Sequence, residues 1–451
     1  MTKGQKAVTE KYFILPLVLV FVLSIFATIF VLGTHPFRTQ PTVFDEEWNG
    51  QSHHRLLQNY SSGASKNKLN VTTGAYYYPW HGEDFHNGEG FLRAVLKPRQ
   101  GPELGEYDDT KKKTIKWHLE FSDMANLDLW VTSWWGPEQI TDTTTRDTIM
   151  KQVEKEGHPL KIALLYESTN RLRVNREWVL DEDRIKADMK YLTKEYFDHF
   201  DNYLRIDGKP VMFIYLTRVL QREGGDHEAG QTLLQKTIAL MRKEAKQEIF
   251  IVGDHAFDSY PEDVMSSTAA LHNSSLQILD GITNYDIYGW MIGQRSSSYP
   301  GVDRLNRYYF WHQARWKQIA AEHNCVYIPS VMPGFNDRGV RDSGKVPLSR
   351  RLTPTSREGS FFEASLKRAL QLVDEKADNL LVVTSFNEWH EDTMIEPVRT
   401  QDQTTQPESM TDGLAYSGYG TLYLDLLRNY TRDFEEDPMR WSKMMSDYEF
   451  E

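Results

Sequence analysis

The sequence predicts an α/β chain: a (β/α)8 barrel of the TIM type, preceded by a single N-terminal transmembrane helix and a stem. Three observations carry this reading. An uncharged run of 20 residues, FILPLVLVFVLSIFATIFVL, covers Phe13–Leu32. Eight short, near-continuous apolar runs follow it at intervals. Stretches with apolar residues at helical spacing separate those runs.

The uncharged run comes first. At about 1.5 Å per residue it spans roughly 30 Å, the thickness of a bilayer core. It exceeds the roughly 7–15 apolar residues of a signal peptide, which is the competing reading. Lys3, Lys6 and Lys11 precede it, and Asp45-Glu46-Glu47 follow beyond Arg38. The positive-inside rule then assigns residues 1–12 to the cytosol, 13–33 to the anchor and the body to the far side. The sequons at Asn59, Asn70, Asn273 and Asn429 agree with a lumenal body. Residues 34–72 are rich in Ser, Asn, Gln and Gly, lack apolar periodicity and read as a flexible stem.

The barrel domain is expected over 73–451. Its strands are predicted at Gly74–Tyr78, Leu127–Trp134, Lys161–Glu167, Val211–Leu216, Ile249–His255, Ile278–Tyr285, Val326–Val331 and Leu380–Phe386. Such runs suit parallel strands buried on both faces. Helical patterns lie at Lys113–Asn126, Asp181–Phe200, Thr232–Gln247, Val302–His323 and Gly359–Glu375. A doubly wound sheet is the rival, but no Gly-rich nucleotide fingerprint follows any strand.

Composition narrows the function. The 52 Lys+Arg against 64 Asp+Glu give a net charge of −12, which argues against nucleic acid as a partner. A single cysteine, Cys325, excludes an intrachain disulfide and a zinc–thiolate site. There is no HExxH among the 14 histidines, so neither a metal nor another cofactor is expected. Asp181-Glu182-Asp183 offers a D-x-D pattern of the kind metal-dependent glycosyltransferases use, but it also opens a predicted helix, where acids suit the dipole.

A barrel places its chemistry at the C-terminal strand ends. Those ends carry aromatic residues and carboxylates, which suit a sugar: flat rings match pyranoside C–H faces, and acids match hydroxyls. Glu388 and Glu391 sit three residues apart past the last strand, beside Asn387 and Trp389. Glycoside hydrolysis needs two carboxylic groups, one protonated and one not. Solvated loop acids are the alternative. Glu167 ends the third strand and binds a substrate hydroxyl, orients another acid, or forms a salt bridge with Arg341 or Arg171. Tyr77, Tyr285 and Tyr288 either line the sugar site or sit in the core. Trp134 and Trp135 are consecutive, so one at most faces the cavity, and Trp134 is the candidate taken. Arg341 either clamps substrate or neutralises acids.

The chain also resembles glycoside hydrolase family 99, a family of endo-α-mannosidases. The resemblance rests on YYYPW ending at Trp80, PELGEY at Pro102–Tyr107, SWWGP at Ser133–Pro137, IPSVMPG at Ile328–Gly334 and SFNEWHEDTMIEP at Ser385–Pro397. It implies a retaining, metal-independent barrel hydrolase that cuts α-mannosidic links inside a glycan. By that resemblance Glu388 is the base that activates the mannose 2-hydroxyl, giving an anhydro-sugar intermediate. Glu391 protonates the leaving oxygen and later deprotonates water. Glu167 matches a third acid that contacts the sugar, and Tyr77, Tyr285 or Tyr288, and Arg341 match pocket residues. After YYYPW the chain departs from the family's usual continuation, reading HGEDFHNGEGFLRAVLKPRQ. Another α-linked glycan is therefore the alternative substrate. A non-catalytic glycan-binding barrel and a glycosyltransferase are the alternative classes. The expected location is the Golgi membrane, single-pass type II, with the catalytic domain lumenal.

Overall fold

The computed structural model describes residues 70–82, 85, 90–222, 231–292, 297–341, 345–404 and 408–432. The expected cytosolic tail and anchor, and the stem up to Leu69, lie outside the described residues. Among the described residues no helix is long and apolar enough to cross a membrane.

The chain divides into two compact units, one of which holds 66–167 and 180–436. That unit contains eight parallel strands: β1 (Thr73–Tyr77), β2 (Leu129–Trp134), β3 (Lys161–Tyr166), β4 (Lys209–Ile214), β5 (Phe250–Asp254), β6 (Gly281–Thr283), β7 (326–331) and β8 (Leu381–Val383). Each predicted run overlaps one of them, β1 beginning one residue and β4 two residues before its run. The pairing follows chain order, with Gly74 opposite Leu129, Leu129 opposite Lys161 and Leu164 opposite Met212. It continues with Val211 opposite Phe250, Val252 opposite Gly281 and Gly281 opposite Val326.

β7 closes the ring. Its first half, Val326–Tyr327, pairs with β6, and its second half, Ser330–Val331, pairs with β8. Pro329 separates the halves, because a proline has no N–H to give a ladder. Its carbonyl still accepts from Val382 N–H at 3.0 Å, while Ile328 N–H donates to Ile282 at 2.9 Å. β8 then pairs with β1, Thr73 opposite Leu381. The result is a (β/α)8-like barrel.

A helix follows each strand: α1 (Lys112–Ala125), α2 (140–156), α3 (182–197), α4 (Leu233–Ala245), α5 (Ser267–Leu276), α6 (301–322), α7 (360–372) and α8 (Leu422–Thr431). Of these, α2, α5 and α8 were not among the predicted helices. Local chemistry sets several ends. Asn126 takes the left-handed conformation past α1, and Thr232 with Gln235 forms a capping box at α4. Asp181 Oδ1 accepts from Arg184 N–H at 3.0 Å, so the D-x-D acids begin α3.

The strands alternate between two buried faces. Tyr76, Leu129, Val131, Ala163, Leu165, Val211, Phe213, Val252, Ile328 and Val382 pack together inside the ring. The other face meets the helices: Tyr77 stacks on Trp130 at 4.2 Å, and Trp134 on Tyr166 at 5.6 Å. At about 1.5–3 kcal/mol per fully buried large apolar side chain, these two layers supply the main stabilising term. One step beyond the inner apolar layer, the inward positions turn polar: Tyr78, Ser133, Glu167, Tyr215 and Asp254.

The second unit contributes Ser168–Val179 to the described residues. It has one helical turn, Ser168–Arg171, and a ribbon of Arg173–Val174 with Glu177–Trp178. Asn175 and Arg176 make its turn at positive φ, and the Arg173 guanidinium lies 5.5 Å from the Trp178 ring centre.

Candidate active site

At or just past the C-terminal ends of β1 to β5 stand the inward groups Tyr78, Ser133, Glu167, Tyr215 and Asp254. The longest contribution is the loop after β8. Glu388 is only 3% exposed. Its N–H donates to Ser385 Oγ at 2.9 Å, and that hydroxyl pairs with Thr393 Oγ1 at 2.8 Å. Its Oε1 accepts from the His390 backbone N–H at 2.8 Å and lies 3.1 Å from His390 Nδ1.

Glu391, on the same loop, has a different environment. Its Oε1 accepts from Arg341 Nη1 at 2.7 Å, and Arg341 also reaches Asp337 Oδ2 at 3.3 Å. Burial raises the Glu391 carboxyl above the usual range; Arg341 opposes this, and the charge of Glu388 adds to it. Burial opposes the charge on Arg341, but Glu391 and Asp337 offset that and hold the guanidinium ionised. The backbone of Glu391 is fixed as well, since its carbonyl accepts from Asn336 N–H at 2.7 Å.

Glu167 completes an acidic trio. Burial pushes it up to about 8, with Glu388, Glu391 and Asp254 adding to the rise and the Ser133 hydrogen bond working against it. Ser133 Oγ donates to Glu167 Oε1 at 2.6 Å and accepts from Trp135 Nε1 at 2.8 Å. The alternative of an ion pair between Glu167 and Arg341 is not realised: Arg341 bonds Glu391, and Ser133 is the partner of Glu167. Tyr78 stands among all three acids. Burial raises its hydroxyl, and the charges of Glu167, Glu388 and Glu391 add to that. It is hydrogen-bonded to the Tyr285 hydroxyl. An aromatic wall of Tyr78, Trp80, Trp135 and His390 continues from it, with ring centres 4.6 to 6.4 Å apart.

The structure therefore brings Glu388, Glu391, Glu167, Arg341 and Tyr285 together. It corrects the expectation for three other residues. Tyr77 points outward from β1, where its hydroxyl meets His118 Nδ1 at 2.7 Å and Asp109 Oδ1 at 3.2 Å. Trp134 also points outward, and its Nε1 donates to Asp142 Oδ1 at 2.8 Å. Trp389 is buried against Phe85 and Phe91, and its Nε1 donates to Glu396 Oε2 at 2.8 Å. The strand alternation is the reason for the first two: their neighbours Tyr78 and Trp135 hold the inward positions. Asn387 is a positioning residue, clamping the backbone of Tyr78 through both its amide groups at 2.8 and 3.0 Å. The Tyr288 hydroxyl donates to the Val346 carbonyl at 2.7 Å, and its ring stacks on Phe335 at 4.1 Å. Tyr78, Trp80, Trp135 and His390 were missed: in runs of consecutive aromatic residues such as 76–78 and 134–135 the sequence carries no signal of which ring faces inward.

Two buried arginines anchor the acid loop from behind. Arg93 Nε donates to Asp392 Oδ1 at 2.5 Å, and Arg350 Nε to Asp392 Oδ2 at 3.2 Å. Arg350 Nη2 also reaches the carbonyls of Asp392 and Met394, at 2.7 and 3.0 Å. Tyr419 lies under both guanidiniums, at 5.2 and 5.0 Å. Asp392 itself is at φ 52°, a left-handed backbone that this clamp holds. Among the described residues no three His, Cys, Asp or Glu side chains converge as a metal site.

Comparison with known proteins meets this geometry. Residues 308–436 match the model of Glycosyl hydrolase family 99. The mouse glycoprotein endo-alpha-1,2-mannosidase is 24% identical over 410 residues, spanning 83% of this chain and 77% of that protein. The mouse glycoprotein endo-alpha-1,2-mannosidase-like protein is 24% identical over 346 residues, 75% of this chain and 66% of its own length. A solved endo-alpha-mannosidase of that family, from a Bacteroides thetaiotaomicron source, has the same fold, with a TM-score of 0.55 and 20% identity over 84% of this chain and 99% of its own. The resemblance read from the motifs therefore holds, with the family model resting on the part that carries Glu388 and Glu391.

Proposed function

We propose that this chain is an endo-acting, retaining glycoside hydrolase that cleaves internal α-1,2-mannosidic linkages of N-glycans or related glycans. The observation that carries the reading is the contrast between two acids on one loop. Glu388 Oε1 accepts the His390 backbone N–H and lies beside His390 Nδ1, whereas Glu391 is buried with a raised pKa beside Arg341. One is set up to take a proton and the other to give one.

Glu388 takes the proton of the mannose 2-hydroxyl as that oxygen attacks its own anomeric carbon. Glu391 gives its proton to the departing glycosidic oxygen, and a 1,2-anhydro sugar remains. Water then opens the anhydro ring at the anomeric carbon. Glu391 takes the water proton, and Glu388 returns its proton to the 2-oxygen. Two inversions at one carbon give net retention. Glu167, Tyr285, Tyr78 and Arg341 supply contacts around the sugar, and Trp80 and Trp135 supply a flat apolar wall.

The membrane assignment belongs to the same proposal. Residues 13–33 anchor the chain as a single-pass type II protein of the Golgi, with the hydrolase domain in the lumen. Their uncharged composition and the flanking lysines support it.

Incubation with a mixed pool of glucosylated high-mannose glycans tests the activity, with products read by mass spectrometry. Release of a disaccharide or larger fragment is expected; release of monosaccharides alone overturns the endo mode. Release from another α-linked glycan only would overturn the mannosidic substrate. Glu388→Gln and Glu391→Gln each lose on the order of 10³-fold in rate with the fold intact, within the ~10²–10⁴ typical of a proton-transfer group. Full activity in both variants overturns the assignment.

A further inference from the structure

The base has two oxygens, and the structure treats them differently. The His390 backbone N–H donates to Glu388 Oε1, and His390 Nδ1 lies 3.1 Å from the same oxygen. Among the described residues Oε2 accepts no hydrogen bond. The backbone donor follows from the turn, two residues along the same loop. The imidazole contact depends on a side chain held from two directions. Trp80 meets its ring edge-on at 5.6 Å, and the His81 ring lies parallel at 6.5 Å, inclined by 12°. His81 is itself bonded through Nδ1 to Asp109 Oδ2 at 2.9 Å. Burial pushes His81 down to about 3, and nearby His390 adds to that, so no positive charge stands behind the His390 ring at neutral pH.

We propose that His390 is a positioning residue for the base, its Nδ1–H holding Glu388 Oε1 so that Oε2 is the oxygen presented to the sugar 2-hydroxyl. The inference rests on the reading of Glu388 as that base. It specifies the tautomer: Nδ1 carries the hydrogen. A carboxylate fixed in its plane by two donors loses little orientational freedom when the substrate arrives, which is where such a residue contributes to rate.

Side-chain shape provides the test. Asparagine places its amide nitrogen where Nδ1 sits, phenylalanine keeps the ring against Trp80 and His81 without a donor, and glutamine places its nitrogen near the position of Nε2. His390→Asn is expected to keep kcat within about five-fold of the parent, while His390→Phe and His390→Gln lose roughly 10- to 100-fold in kcat with KM within about three-fold, as for loss of a charge-assisted hydrogen bond. Melting temperature identifies folded variants. Should His390→Phe fail to fold, the contrast of Asn with Gln decides. Full kcat in folded His390→Phe or His390→Gln overturns the proposal, as does a loss in Asn equal to theirs. Glu388→Gln is measured alongside. If it keeps the parental rate, the underlying reading of the base falls; if it is inactive while His390→Phe is fully active, only the positioning role falls.

Discussion

Glu167→Gln should flatten the pH dependence of the barrel's stability. The carboxyl is buried, and its pKa rises from the ordinary 4.5 to about 8. Below pH 4.5 it is protonated in both folded and unfolded chains and contributes no pH dependence. Above 4.5 the unfolded chain loses this proton while the folded barrel keeps it, so the unfolded state is favoured progressively. The loss of stability accumulates until about pH 8 and then levels off. At about 1.4 kcal/mol per pH unit, that interval gives a ceiling on the order of 5 kcal/mol. Glutamine has the shape of the protonated acid and can still accept from Ser133, so the variant keeps the hydrogen bond and loses the titration. The assay is thermal melting of parent and variant from pH 5 to 8.5. The curves should nearly meet at pH 5 and separate upward, with the variant melting higher at pH 8 by about 5 °C, taking roughly 1 °C per kcal/mol for a domain this large. Parallel curves would refute the argument that Glu167 holds its proton into the neutral range.

Two further substitutions follow from the same geometry. Trp134→Phe removes a buried donor from Asp142 and should cost about 1–3 kcal/mol of stability, with kcat/KM within about three-fold, whereas Trp135→Leu should lower kcat/KM by roughly ten-fold or more; melting curves and initial rates separate the two. Asp392→Asn leaves Arg93 and Arg350 without their shared counter-charge and should destabilise the fold by about 3–5 kcal/mol, as the melting temperature would report.

The barrel was legible because its strands are apolar on both sides and its turns are not. Two of the three missed helices lack that contrast. Ser267–Leu276 reads STAALHNSSL, and 140–156 is opened by threonines, so neither shows an apolar stripe. The acids Glu388, Glu391 and Glu167 were legible because ionisable groups at the end of an apolar run have few structural uses. Which of two adjacent aromatics faces inward was not. Three consecutive tyrosines at 76–78 carry no phase, and a shift of one residue turns a wall of the site into a packing residue. The Arg93–Asp392–Arg350 clamp could not be read at all, because its members lie 299 and 42 residues apart in sequence.

Ring closure through β7 and β8 has a consequence for biosynthesis. β1 cannot find its second neighbour until Leu381 has been made, about 300 residues later. At roughly 5–20 residues per second, a ribosome needs about 15–60 s to deliver it. Through that interval the tyrosine-rich first strand offers an unpaired backbone edge, which other nascent chains could adopt as a template. A message that stops short of residue 381 yields two raw edges where the finished cylinder has none, so quality control should capture such truncated products far more avidly than the complete chain.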